Sequence, residues 1–164
     1  MYNVTFTKTN PVNYDYPTGY KGSSNMGVGM GLVFDNRKNV MNVREGLFAE
    51  LAFLNYSSSL GSTNSFRSTQ FDVRYFRKGI NPKDVLALQG SVLLNKGDAP
   101  FNQMAMMGGE SMMRGYYLGR FRDKNMLATQ AEYRFLPFAF SNRWGAAAFV
   151  SGATVISMIL WFLL

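Results

Sequence analysis

Hydrophobic and polar residues alternate along several stretches of this chain, which is the pattern of β-strands with one apolar face. The pattern starts in residues 26–35 and recurs in residues 47–56, 66–79, 85–95 and 126–135. The apolar positions include Leu32, Leu51, Phe71, Val73, Leu88, Val92 and Leu127, and the positions between them include Asp35, Glu50, Asp72, Arg74, Gln89, Gln130, Glu132 and Arg134. Each of these strands therefore has one apolar and one polar or small-residue face.

A sixth candidate strand, residues 143–155, is too apolar on both faces for its parity to be assigned. Short Pro- or Gly-containing turns alternate with longer loops between the candidate strands, as in an antiparallel meander. Gly, Tyr and Phe are abundant and long charged helical stretches are missing, which also favours β structure. We therefore predict an all-β, antiparallel fold with about six meander strands.

Strand alternation alone fits a soluble β-sandwich as well as a transmembrane β-barrel. Strands of about ten residues favour the barrel, because a tilted strand needs about that length to cross a bilayer. Aromatic residues also gather near the strand ends, where barrel girdles lie. They are Tyr56, Phe66, Tyr75, Phe76, Tyr133 and Phe135. Six strands are too few to close a barrel, and an open edge is not tolerated in lipid, so either the chain is part of a larger barrel or the barrel interpretation is wrong.

Composition narrows the functional classes. The chain of 164 residues is 47% hydrophobic and 16% charged, with a net charge of +7 and neither His nor Cys. Without these two residue types there are no disulfides or thiolate metal sites, and most metal-hydrolase and triad chemistry lacks its usual groups. The basic residues are scattered without a nucleic-acid-binding motif, so we expect no nucleic-acid partner.

Three carboxylates, Glu50, Asp72 and Glu132, could suggest a glycosidase pair, but they lie on different strands among arginines. Ion pairs inside a barrel explain them better, so we predict no enzymatic activity, no metal and no cofactor. Five methionines near residues 104–113 are interpreted as adaptable packing.

The two ends of the chain lack a clear strand pattern. Residues 1–25 are polar, predict a loop or one weak strand, and contain no signal peptide. Residues 145–164 carry no charge and are long enough for a transmembrane helix, especially over their terminal part. The alternative to a barrel is therefore a soluble β-sandwich binding module with a carboxy-terminal helical anchor.

The connection between the fourth and fifth strands, about residues 96–125, is too long for an ordinary hairpin. It contains Gly108 and Gly109, followed by Arg114, Gly115 and Tyr116. This Gly-rich run and Arg-Gly-aromatic motif, with the strand "LATQAEYRF" after it, resemble the sixth extracellular loop and following strand of the BamA/TamA outer-membrane assembly factors, the bacterial surface antigen superfamily. The resemblance covers roughly residues 26–155.

A second matching element resembles the Asp-x-Arg turn of that family, here Asp35 and Arg37 with the downstream Gly46. The resemblance implies a 16-stranded barrel in the bacterial outer membrane, preceded by periplasmic POTRA domains or a shorter plug-like extension. It implies outer-membrane lipid, β-barrel client proteins and assembly-machinery subunits as partners. The implied function is assembly, insertion or translocation of outer-membrane proteins.

The resemblance further implies that the long loop folds into the barrel, where Arg114 contacts groups on the inner wall. A guanidinium in a partly dehydrated lumen needs charge-assisted partners. By strand parity the candidate acids are Glu132, Asp72, Glu50 and Asp35. Otherwise Arg114 would be a surface loop residue that pairs with Glu110 or with nothing.

Two departures from the family pattern affect these expectations. Ser151 stands where relatives carry an inward acid, which makes Glu132 the first expected partner of Arg114. The tail "ISMILWFLL" neither alternates nor ends in an aromatic residue, which predicts an incomplete barrel end, by truncation or a frame shift. The expected organisation is an amino-terminal segment over 1–25, a partial barrel domain over 26–155 and an apolar tail over 156–164.

Overall fold

The computed structural model describes residues 17–135, 138 and 143–157. These residues form β-strands joined by turns and loops, with two short 3-10 helices, Ser58–Leu60 and Phe101–Gln103. The strands are β1 (Gly27–Asp35), β2 (Gly46–Tyr56), β3 (Phe66–Lys78), β4 (Val85–Gly97), β5 (Ala105–Met107), β6 (Phe121–Asp123), β7 (Asn125–Phe135) and β8 (Ala146–Ile156). The prediction of an all-β fold is confirmed.

Six long strands form one antiparallel sheet in the order β1-β2-β3-β4-β7-β8. Neighbours in the sheet follow one another along the chain except where β5 and β6 intervene, so the predicted meander is confirmed. β5 and β6 pair only with each other as a separate two-stranded sheet. At three residues each, they were too short for alternation to reveal them. As far as the chain is described, the sheet ends at β1 and β8 and is open, as expected for part of a larger barrel.

The strand register gives the sheet two faces of opposite character. On the face that we call apolar, Leu51 lies opposite Phe71, Phe71 opposite Val92, and Val92 opposite Leu127. The face that we call polar carries the acidic residues, among them Asp72 and Glu132, each only 7% exposed.

Along the sheet, large apolar side chains are exposed and acidic side chains are buried, which is the reverse of a water-soluble protein. Phe71 is 40% exposed and Leu127 is 48% exposed, whereas two carboxylates are buried. Large contiguous apolar surfaces are rarely left in water, and buried carboxylates normally have partners. The apolar face therefore needs a non-aqueous environment, and the polar face needs the ion pairs described below.

Three of the six aromatic residues predicted to form a girdle lie on the apolar face. Tyr75, Tyr133 and Phe135 lie on the apolar face near one end of the sheet, and the rings of Tyr133 and Phe135 are 4.7 Å apart. The other three residues of the predicted set, Tyr56, Phe66 and Phe76, lie on the polar face. Phe66 is 3% exposed and stacks on Tyr56 at 4.3 Å between ring centroids. Position near a strand end was a poor guide here, because strand parity decides which face a side chain joins.

Connections leave the sheet at two opposite ends. At the turn end lie residues 36–45 and 79–84, and at the loop end lie residues 57–65 and 98–124. Residues 17–26 also lie at the loop end and hydrogen-bond to both loops, through Phe101 N to Thr18 O at 2.9 Å and Thr63 N to Ser24 O at 2.8 Å. Of the predicted amino-terminal loop, residues 1–16 lie outside the described residues.

The apolar run near the carboxy terminus is a strand over Ala146–Ile156, paired with β7 along its length. The helical alternative is therefore wrong for these eleven residues. Most of the predicted tail, residues 158–164, lies outside the described residues. Within the part of the chain that is described, no helix has the length and apolar character needed to span a membrane.

Candidate functional site

The long connection between β4 and β7, residues 98–124, folds back onto the polar face of the sheet. We call this segment the loop. Its short strand β5 contacts β4, β7 and β8, and β6 contacts β8. The loop bounds are close to the predicted residues 96–125, and the two additional strands within it hold its two halves together.

The glycine pair at the start of the motif makes a tight turn after β5. Gly108 has φ +106, and a Cβ there would lie 2.6 Å from the carbonyl oxygen of Tyr117. Gly109 has φ +120 and donates its N–H to the carbonyl of Tyr116 at 3.1 Å. Only glycine adopts such backbone angles readily. The chain therefore crosses itself closely at this point, which brings the following Arg-Gly-Tyr segment back towards the sheet.

Arg114 reaches from the loop to the polar face. Its Nη2 donates to Glu132 Oε2 at 3.1 Å, and its guanidinium lies 4.8 Å from the ring centroid of Phe149 on β8. Its Nε donates to the backbone carbonyl of Glu110 at 3.1 Å. The guanidinium thus contacts β7, β8 and its own loop, which is an arrangement that ties the loop to two adjacent strands.

Glu132 has a second cationic partner on its own strand. Arg134 Nε donates to Glu132 Oε1 at 2.7 Å, so each carboxylate oxygen accepts from a different arginine. The Glu132 side chain is 8% exposed, whereas those of Arg114 and Arg134 are 38% and 33% exposed. A buried carboxylate of this kind is stabilised only while its hydrogen bonds are present. The loop and β7 are therefore linked through one desolvated group.

Sequence reasoning missed Phe149 and Arg134 as partners in this cluster. Phe149 lies directly opposite Glu132 in the register between β7 and β8, and Arg134 is two residues from Glu132 on the same face. The two-residue spacing was visible in the sequence as an acid-x-Arg pattern. The position of Phe149 was not, because the parity of β8 could not be read from a strand that is apolar on both faces.

The other predicted partners of Arg114 lie elsewhere. Asp72 accepts from Arg74 Nε at 2.7 Å and from Gln89 Nε2 at 3.0 Å. Glu50 lies opposite Asp72 in the register of β2 and β3. Among the described residues, neither of these acids makes a hydrogen bond or ion pair with Arg114. Arg114 contacts the acid that the sequence ranked first.

The predicted turn motif forms one structural unit at the turn end. Arg37 makes a two-point ion pair with Asp35, with Nε to Oδ1 at 2.9 Å and Nη2 to Oδ2 at 2.7 Å, and lies over the Phe48 ring at 4.5 Å. Gly46 has φ +127, and a Cβ there would lie 2.9 Å from the Cα of Arg37. The Asp-x-Arg segment and the glycine therefore pack directly against each other, which fixes the connection from β1 to β2.

Three acid-x-Arg segments, at Asp35, Asp72 and Glu132, all form ion pairs within the segment. The residue spacing places acid and arginine on the same side of an extended chain. Within the described part of the chain, only the pair on β7 is joined by a third charged residue, Arg114. This distinguishes Glu132 from the other two acids.

The remaining motif residues line the exposed surface of the loop. Gly115 has open space around its Cα, and Tyr116 makes an edge contact with Phe121 at 5.6 Å. An open depression of about 840 Å³ lies beside them and extends to Leu118. Ser151, at the position of the family's inward acid, lies opposite Gln130. In the described part of the chain, no group of three or more acidic, His or Cys side chains could hold a metal ion.

Comparison with known proteins adds a family assignment. A comparison with curated proteins finds no match. A family model described as the Omp85 superfamily domain matches residues 2–158, which includes every strand and the whole loop. With nearly the full length matched, the chain belongs to the Omp85 superfamily.

Proposed function

We propose that this chain forms part of an outer-membrane β-barrel that assembles, inserts or translocates outer-membrane proteins. The Omp85 superfamily consists of outer-membrane proteins that act in protein assembly and translocation, which supports this assignment. The observation that carries the proposal is the Arg114–Glu132 contact, made by the loop motif on which the resemblance to assembly factors rests.

In the proposed protein the apolar face contacts lipid and the polar face lines the barrel interior. The loop lies inside, with Arg114 anchored to Glu132 on the wall. Its work is done by binding and by movement of barrel strands, without bond chemistry. The proposed partners are outer-membrane lipid, β-barrel client proteins and subunits of an assembly machinery.

The alternative of a soluble sandwich is not favoured by the faces of the sheet. A sandwich would cover its apolar face with a second sheet, and among the described residues the only other sheet, β5 with β6, lies on the polar face. The apolar face instead remains exposed, with Leu51 at 43% and Phe71 at 40%.

The test is depletion of the full-length protein in its native bacterium. We expect the protein itself in the outer-membrane fraction with heat-modifiable migration, and a loss of folded client barrels from that membrane on depletion. Depletion that leaves every outer-membrane barrel protein at its normal folded level would contradict the proposed role. Recovery of the protein in the soluble fraction would contradict the proposed location.

Complementation with loop variants tests the contact that carries the proposal. We expect Arg114→Ala to restore client assembly poorly, because the loop loses its bond to the wall. Arg120→Ala is the matched control, since it removes the same charge from the same loop, and among the described residues the Arg120 side chain contacts only the rings of Tyr116 and Phe121. If both variants complement equally well, the Arg114–Glu132 contact is not needed for the proposed function.

A further inference from the structure

Two cations lie side by side on the apolar face at the loop end of the sheet. Arg67 near the start of β3 is directly opposite Lys96 near the end of β4, and both side chains are exposed. Directly opposite residues have Cβ atoms about 5 Å apart, and like charges at that separation destabilise a sheet. Neither side chain forms an ion pair with any residue that the structure describes, and Arg67 only donates to Asn55 Oδ1 at 3.3 Å.

A third cation lies at the same end of the sheet. Lys124, which immediately precedes β7, donates its Nζ to the carbonyl of Gly97 at 3.1 Å. Gly97 follows Lys96 in the chain, so the amino group is held at the same corner of the sheet. The start of β3, the end of β4 and the residue before β7 therefore each contribute one positive charge at this end of the sheet.

The residues of β3 on the apolar face show how far these cations lie from the middle of the sheet. Alternate positions from Arg67 to Arg77 share this face, with Phe71, Val73 and Tyr75 between the two arginines. Ten residues of strand span about 34 Å, or about 26 Å along the membrane normal at a tilt near 40°. The apolar band of outer-membrane barrels is about 25 Å tall. With the proposed outer-membrane location and this tilt, Arg67 and Lys96 fall at the edge of the band, at the level of lipid head groups.

We propose that Arg67 and Lys96 bind the phosphate of a phosphate-bearing lipid in the leaflet at the loop end. The head group neutralises a repulsive pair that has no carboxylate partner among the described residues, and the acyl chains cover the apolar rows below it. The next row carries Phe53, Thr69 and Leu94, which offer contact to acyl chains. This inference rests on the proposed outer-membrane location and adds a specific lipid site to it.

The experiment uses the full-length protein purified from its own outer membrane and placed in phosphatidylcholine nanodiscs. Lipid A, as the phosphate-bearing probe, is titrated against the wild type and the variant Arg67→Gln/Lys96→Gln. Each surface cation contributes roughly five-fold to anionic lipid binding, so we expect the Kd to rise about twenty-five-fold in the double variant. The variant Arg67→Lys/Lys96→Arg keeps both charges and should bind within a few-fold of the wild type.

The matched control is Lys38→Gln/Lys78→Gln, which removes the same net charge at the turn end, where both lysines contact Glu45. It should leave lipid A binding unchanged. An unchanged Kd in Arg67→Gln/Lys96→Gln, with heat-modifiability intact, would overturn the lipid site and leave the proposed function standing. Displacement of lipid A by millimolar inorganic phosphate would also overturn it, because the site would then recognise free phosphate. Absence of the protein from the outer membrane would refute the proposed location instead.

Discussion

The importance of the loop anchor can be measured by comparing two acids that occupy nearly identical positions. Glu132 and Asp72 both accept from the arginine two residues along their strand at 2.7 Å, with side chains 8% and 9% exposed. Only Glu132 also accepts from the loop, through Arg114. Glu132→Gln therefore removes an ion pair within the strand and the charge-assisted loop contact. Asp72→Asn removes an ion pair within the strand, and its remaining amide oxygen can still accept the hydrogen bond from Gln89 on β4.

The structure sets the expected size of each effect. An ion pair with a partly exposed arginine contributes about 1 kcal/mol at most, and we expect Asp72→Asn to lower the free energy of unfolding by about that amount. The hydrogen bond from Arg114 is charge-assisted, but this side chain is 38% exposed, so solvent screening reduces its contribution to about 1 kcal/mol. We therefore expect Glu132→Gln to cost about 2 kcal/mol in total.

The assay is urea unfolding of the full-length protein in detergent, followed by heat-modifiable migration, with Arg114→Ala combined with each acid variant. Arg114→Ala and Glu132→Gln should show a coupling free energy of about 1 kcal/mol, because they remove the same contact. Arg114→Ala and Asp72→Asn should be additive within about 0.5 kcal/mol. If both combinations are additive, or if the two acid variants destabilise equally, Arg114 does not stabilise the barrel through Glu132.

Two further predictions concern the loop turn and the turn end. Gly108→Ala should destabilise the docked loop by at least about 1 kcal/mol, because φ is +106 and the added Cβ meets the Tyr117 carbonyl at 2.6 Å. Gly115→Ala, which meets nothing within 4 Å, should be tolerated, and protease cleavage of the loop in both variants distinguishes the two positions. The pKa of Glu45 is held below its ordinary value by a hydrogen bond from Lys38 and the charge of Lys78. The stabilisation from this interaction is therefore fully present above the pKa of Glu45 in the unfolded chain, and it is lost as pH falls through the lower pKa of Glu45 in the folded protein. Lys38→Met should raise the pKa of Glu45 measured by NMR, and an unchanged value would show that Lys38 is not its partner.

Much of the fold was predictable because strand parity follows from a two-residue period. The alternation around Asp72 and Glu132 identified the polar face of β3 and β7, and the short turns gave the antiparallel order. β5 and β6 could not be predicted, since three-residue strands are defined by pairing across the loop and not by a local pattern. The girdle was half wrong for a related reason. Phe66 is near a strand end, but its parity directs it to the polar face, where it is 3% exposed.

Of the two contacts that Arg114 makes with the sheet, only the one with Glu132 on β7 could be predicted. The candidate acids followed from parity, and the absence of an acid at Ser151 ranked Glu132 first. The contact with β8 depends on Phe149, which lies opposite Glu132 and offers Arg114 an aromatic face at 4.8 Å. An aromatic ring attracts a guanidinium without carrying charge, so this chain keeps contact with both strands while only β7 supplies a carboxylate. A second acid on β8 would have to be desolvated beside Glu132, where like charges repel. The combination of Arg134 and Phe149 avoids that cost, since each carboxylate oxygen has its own arginine and Arg114 still contacts the neighbouring strand.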